Sequence, residues 1–147
     1  MDDSVAGKPH WSFWFIAVLM LIWNGLGCAN FIVQMNPDVV ASYRAVEQAI
    51  IQDRPLWATA GFALGVFAGA VGCVLLLLKN PSAFYLFCAS LLGVVIAIAH
   101  SLTVNYAFGL GEIVGIVVMP IAVALFLVGY ARYCQAKGWL NFPGKAE

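Results

Sequence analysis

The sequence predicts an all-α integral membrane protein, a four-helix bundle with an amphipathic interfacial helix between spans 1 and 2. Hydrophobic residues make up 63% of the 147-residue chain and charged residues only 10%, whereas ordinary soluble domains carry about 25% charged residues. The mean hydropathy is +0.93, a value that argues against a soluble globular fold. Four stretches, 11–37, 55–78, 80–111 and 113–131, contain no Asp, Glu, Lys or Arg. Each supplies the roughly 20 apolar residues that cross a hydrocarbon core about 30 Å thick, and none is long enough for two crossings. The spans are expected to be helices, because an isolated strand in lipid leaves its backbone N–H and C=O groups unpaired.

The first span is placed at 12–34. Its leader, MDDSVAGKPH, carries two acids and one Lys, and no small-x-small cleavage pattern precedes a soluble domain, so a retained anchor helix is expected. Gly25-Leu26-Gly27-Cys28 mimics a lipoprotein box but has Gly where Leu is required. Asn24 lies near the middle of this span beside Trp23, with Asn30 and Gln34 further along. An Asn in hydrocarbon must find a hydrogen bond, so Asn24 reads first as interhelical glue and second as a solute ligand.

The segment 37–54 follows. Val39, Tyr43, Val46 and Ile50 recur at i, i+4, i+7 and i+11, one stripe of a helix, with Asp38, Arg44, Glu47 and Gln48 elsewhere. Asn36 can cap this helix, Pro37 suits its first turn, and Pro55 bars its continuation. It is expected to lie on the membrane, as a lid packed on the bundle or as a gate over a site beneath it.

Spans 2, 3 and 4 are placed at 57–78, 83–103 and 111–132, which makes the whole chain one transmembrane domain over 1–147. Span 2 repeats glycine at Gly61, Gly65 and Gly69, with Gly72 beside them, and span 3 carries Ala89, Gly93 and Ala97 at the same step of four. Apolar side chains gain nothing by leaving lipid, so association depends on close packing, which small residues allow. The turn Lys79-Asn80-Pro81-Ser82 makes these spans antiparallel neighbours whose small stripes can meet. Pro120 removes one hydrogen bond inside span 4 and predicts a kink there. Trp11, Trp14, Tyr130, Tyr133 and Trp139 on one side, and Trp57 and Tyr106 on the other, read as interfacial belts.

Seven Lys and Arg balance seven Asp and Glu, for a formal charge of zero, so the chain lacks the basic footprint that nucleic-acid binding needs. Lys8, Lys79, Arg132, Lys137 and Lys145 share one side, and only Arg44 and Arg54 fall on the other. The positive-inside bias then puts both termini in the cytoplasm.

The ionisable groups give no catalytic set. Cys28, Cys73, Cys88 and Cys134 contain no C-x-x-C, and a disulfide enzyme would need paired cysteines near one face. His10 and His100 sit at opposite ends, too far apart for one haem iron, and no metal or other cofactor is expected. Glu112 opens span 4 and His100 closes span 3, joined by a short connector with Asn105 and Tyr106. Glu112 reads as a helix cap favoured by the dipole, or as a carboxylate sharing a proton with His100. Glu112, His100, Asn24, Trp23, Asn105 and Tyr106 are therefore the candidate solute or proton site.

Trp23-Asn24-Gly25 in span 1, the outer segment ending Arg54-Pro55-Leu56-Trp57-Ala58-Thr59-Ala60, the glycine-rich run from Gly61 to Leu78, and Gly138-Trp139-Leu140 after span 4 resemble a family of small four-span bacterial inner-membrane proteins. Members are often labelled sugar transporters. The resemblance covers 11–140 and implies the four-span fold and the bacterial inner membrane; it carries over no functional residue. A four-helix bundle fills its interior with side chains, so solute passage requires an oligomer or a site opened between helices. The expected function is transport or binding of a small solute by a homo-oligomer, with a proton link through Glu112 and His100. The alternative is a non-catalytic accessory subunit whose glycine stripes dock a larger membrane complex.

Overall fold

The computed structural model describes residues 7–141. Trp11–Val33 form α1, Pro37–Val40 α2, Ala45–Gln52 α3, Leu56–Leu77 α4 and Ala83–Ser101 α5. Span 4 is one continuous rod, Leu110–Ala136, made of α6 (Leu110–Ile113), a π turn over Val114–Val118 and α7 (Met119–Ala136). No strand occurs among the described residues. Four of these helices, α1, α4, α5 and span 4, are long and apolar enough to cross a membrane, and the protein is a multi-pass all-α membrane bundle.

The centre of the bundle is the α4–α5 pair. Gly93 of α5 sits so close to α4 that a Cβ there would stand 2.6 Å from the Gly61 carbonyl oxygen, and a Cβ on Gly65 would stand 3.2 Å from the Val94 nitrogen. The Ser90 hydroxyl donates to the Gly65 carbonyl at 2.5 Å. The stripe does not serve one neighbour only. Gly72 makes room for the Phe87 ring of α5, while Gly69 lies against both Asn24 of α1 and Ser90 of α5. α1 packs on the other flank of α4, and α7 on the far side of α5. The central helices are accordingly 39% and 33% buried, against 11% for α1 and for span 4.

The end that carries the N-terminus of α1 and the C-terminus of α7, here the terminal end, is closed. Phe13, Cys73, Leu76, Phe87, Leu127 and Cys134, one or more from each span, form a common buried core. Trp139 stands edge-on to Phe13 at 5.9 Å, and the Asn141 amide donates to the Lys79 carbonyl at 2.9 Å, tying the tail to the α4–α5 turn. α7 runs four residues past the expected 132. It stops where Gly138 takes φ 68° and the Trp139 amide reaches back to the Cys134 carbonyl, a left-handed glycine cap.

Three features, one helix end and two interior irregularities, have local causes. α5 stops at Ser101 rather than 103, because the amide and hydroxyl of Thr103 both donate to the His100 carbonyl, at 2.8 and 2.7 Å; such side-chain bonds compete with helix continuation. The segment 37–54 is helical in two pieces. Asn36 caps α2 by accepting from the Asp38 amide at 3.0 Å, with Pro37 in the first turn, and Arg44 then turns extended and restarts the chain as α3. The Gln48 amide staples that break, donating to the Ala41 and Tyr43 carbonyls at 3.0 and 2.7 Å. In span 4 the lost hydrogen bond of Pro120 is absorbed by the π turn immediately before it; the wider turn relieves the clash between the proline ring and the carbonyl four residues back.

Candidate functional site

α1 and span 4 meet at the terminal end and have no extended interface beyond it. Neither α6 nor the π turn buries a single residue. The gap between the two flanking helices, floored by α4 and α5 and roofed by α3, is a cavity of about 610 Å³. That volume falls within the range of small-molecule sites, roughly 300–1,000 Å³.

The walls are apolar below the roof: Phe62 and Val66 from α4, Val94 from α5, Ile116 from the π turn, and Val123 and Leu127 from α7. Polar groups gather at the lid end. The end of α1 contributes Asn30 and the capping Gln34, Arg44 caps α3 and Glu47 lies in its first turn, the α3–α4 connector contributes Arg54, and Glu112 and His100 complete the rim, while Asn24 lines the cavity deeper down, beside Cys73. A smaller cavity of about 350 Å³ under Tyr43 shares Asn30, Gln34, Arg44 and Glu47.

Each polar group has a definable role. The lid is pinned on both sides: Tyr43 donates its hydroxyl to the Asn30 side-chain Oδ1 at 3.3 Å, and His100 Nε2 meets the Ile50 backbone carbonyl at 3.1 Å. The Ile50 carbonyl can only accept, so Nε2 is the donating nitrogen. Its ring also stands edge-on to Trp57 at 5.8 Å. Arg44 is paired with Glu47 one turn along, which holds its guanidinium above the ordinary arginine range, with Glu112 and Tyr106 adding to the field from further off. Glu112 accepts from the Gly109 amide at 2.8 Å, a first-turn carboxylate at a helix N-terminus. Arg54 donates from Nη1 to Gln34 Oε1 at 2.8 Å and lies 5.3 Å from the Phe62 ring centre.

The sequence-predicted residues fall as follows. Glu112, His100, Asn24 and Trp23 all line the cavity. Glu112 and His100 share it without touching, since each spends its nearest hydrogen bond on backbone, Gly109 and Ile50 respectively. Asn24, which is 7% exposed, donates to the Met20 carbonyl at 2.9 Å and to the Cys73 sulfur at 3.8 Å, so its amide serves α1 itself and the α1–α4 contact. Asn105 is exposed on the connector, and Tyr106 stands edge-on to Phe108 with centroids 5.6 Å apart; neither lines the cavity. Gly61, Gly65, Gly69, Gly72 and Gly93 are buried, and Ala89 and Ala97 half-buried, with Ala97 reaching the cavity wall.

Arg54, Gln34 and Asn30 are the rim residues that sequence reasoning did not single out as a site. A signal existed: Gly27, Asn30 and Gln34 repeat at i, i+3 and i+7 along an otherwise apolar span, a small and polar stripe on one helix face. Among the described residues no three His, Cys, Asp or Glu side chains come together as metal ligands.

The chain matches no family model, no curated protein and no solved structure.

Proposed function

We propose that this protein is a bacterial inner-membrane protein whose lid-end cavity binds a small solute, and that it works as a solute-binding or transport unit in an oligomer. The observation that carries the reading is the cavity itself: about 610 Å³ of space, mostly apolar, with charged and amide side chains converging on one end. A site of that make-up is what ligand binding requires. The closed terminal end supports an oligomer for transport, since a single chain offers the solute no continuous route past Phe13, Phe87 and Leu127. Lys8, Lys79, Arg132 and Lys137 at the terminal end, against Arg44 and Arg54 at the lid end, support a cytoplasmic terminal end. Glu112 is the group through which a proton link would act, because it is the one carboxylate of span 4 and lines the cavity.

Thermal stability of the purified protein across a solute panel tests the reading. A true ligand at 100 times its Kd adds about 2.7 kcal/mol of apparent stability by mass action, and Val94→Trp, which projects an indole into the cavity and obstructs it, abolishes the gain. No stabilisation by any member, with Val94→Trp indistinguishable from the parent, overturns it. Asn24→Leu separates glue from ligand: glue lowers assembly, whereas a ligand role lowers binding with assembly intact. For the proton link, unchanged pH dependence of transport in Glu112→Gln removes that part.

One observation favours the rival reading, a non-catalytic accessory subunit. Leu110 to Val118 bury nothing and leave Leu110, Ile113, Val114 and Val118 exposed, a face on which a partner helix could sit. Cross-linking through Cys at position 114 reports a heterologous partner in that case.

A further inference from the structure

We infer that the cavity takes an amphiphile with one anionic head, a carboxylate or phosphate, held by Arg54, with its apolar chain lying along the wall between α1 and span 4. This rests on the cavity being a binding site and names the class of its ligand.

Arg54 stands apart from the other charges at the rim. Arg44 is spent on Glu47, Glu112 on the Gly109 amide and His100 on the Ile50 carbonyl. Arg54 has only the neutral Gln34 oxygen, and its Nε is buried with no hydrogen-bond partner. No carboxylate among the described residues pairs with it. Burial pulls its guanidinium below the ordinary arginine range, and no neighbouring acid offsets that pull. A guanidinium presents five N–H donors in a fork matched to carboxylate and phosphate oxygens, and a buried donor left unmade costs free energy. The missing partner is an anion.

Depth selects an amphiphile over a free anion. Arg54 lies two residues before Leu56, the first residue of a membrane-crossing helix, which is the level of lipid head groups. Phe62, Val66, Val94, Ile116 and Val123 line the cavity below it, at acyl depth. A molecule entering sideways between α1 and span 4 keeps its head and chain at the depths they occupy in the bilayer. A bare phosphate would leave the apolar wall unused.

Trp23 lines the same cavity and reports its occupancy. In phosphatidylcholine nanodiscs, 9,10-dibromostearate is titrated against the uncharged 9,10-dibromostearyl alcohol, with Trp23→Phe defining the background from the other tryptophans. The expected result is saturable quenching of Trp23 by the carboxylate at a mole fraction at least about tenfold lower than by the alcohol. Arg54→Met brings that ratio to about one, and Arg54→Lys, which keeps the charge and guards against a folding defect, retains most of it. Equal quenching by both probes, unmoved by Arg54→Met, overturns the anionic head and leaves the cavity as a binding site. No saturable Trp23 quenching by either probe overturns the amphiphile, and the solute panel with Val94→Trp then decides separately whether the cavity binds at all. Arg54-dependent stabilisation by inorganic phosphate, without preference for the bromostearate, overturns the amphiphile in favour of a free anion.

Discussion

At the terminal end all four spans contribute to one core around Phe13, Leu76, Phe87 and Leu127, whereas at the lid end α1 and span 4 part and α3 covers the gap. The two ends share the same four spans, but the terminal end is filled by apolar side chains and the lid end is rimmed by polar ones. In lipid, association depends on how closely surfaces approach; Gly72 admits the Phe87 ring near one end, while Gly111 and Gly115 near the other face nothing within 4 Å. The core shared by all four spans lies where the chain ends lie, and the open space lies under the lid.

Four substitutions probe that contrast. Phe87→Ala empties the centre of the closed end and is expected to cost about 3–5 kcal/mol, read as a fall in unfolding free energy in detergent. Gly93→Val drives side-chain carbon into the backbone of Gly61 and Gly65; the expected loss is about 1–3 kcal/mol, and an unaltered melting temperature would show that the α4–α5 approach is dispensable. His100→Ala frees the Ile50 carbonyl and removes a hydrogen bond worth about 1 kcal/mol. Amide exchange in Ile50 to Gln52 should then quicken about fivefold, with no change around Phe87. Val94→Ala trims a wall that already borders empty space and should cost less than ~1 kcal/mol. If it costs as much as Phe87→Ala, the lid end is packed like the other and the contrast fails.

Much of this fold was legible because the membrane makes few demands and makes them strictly. Charge-free runs of sufficient length marked every span, and the step-of-four glycines marked where α4 meets α5. What escaped depended on single local bonds. The break at Ala41 to Arg44 follows from Gln48 reaching two carbonyls, and no periodicity announces it, since Val39, Tyr43, Val46 and Ile50 keep one stripe across the break. The early stop of α5 follows from Thr103. The site was legible in part: Asn24, Trp23, His100 and Glu112 drew notice as polar or aromatic groups in apolar runs. Arg54 did not, because a basic residue beside a proline at a helix boundary looks like an ordinary interfacial charge. Only the tertiary placement, with Gln34 as its neutral partner and Nε left bare, sets it apart.

The π turn before Pro120 fixes the angular phase of the last span. Glu112, Ile116 and Pro120 all face the cavity although the turn between them is wider than an α turn. Excising one residue from Val114 to Val118 would rewind that stretch to regular α geometry. Everything ahead of it would keep nearly the same angular phase, because the lost residue, about 100° of helix, is offset by the tighter winding of those that remain. The same excision from regular helix in α7 has no such offset and would turn Glu112 away from the cavity; the π turn is the one place in this span that can give up a residue and leave the cavity wall in register.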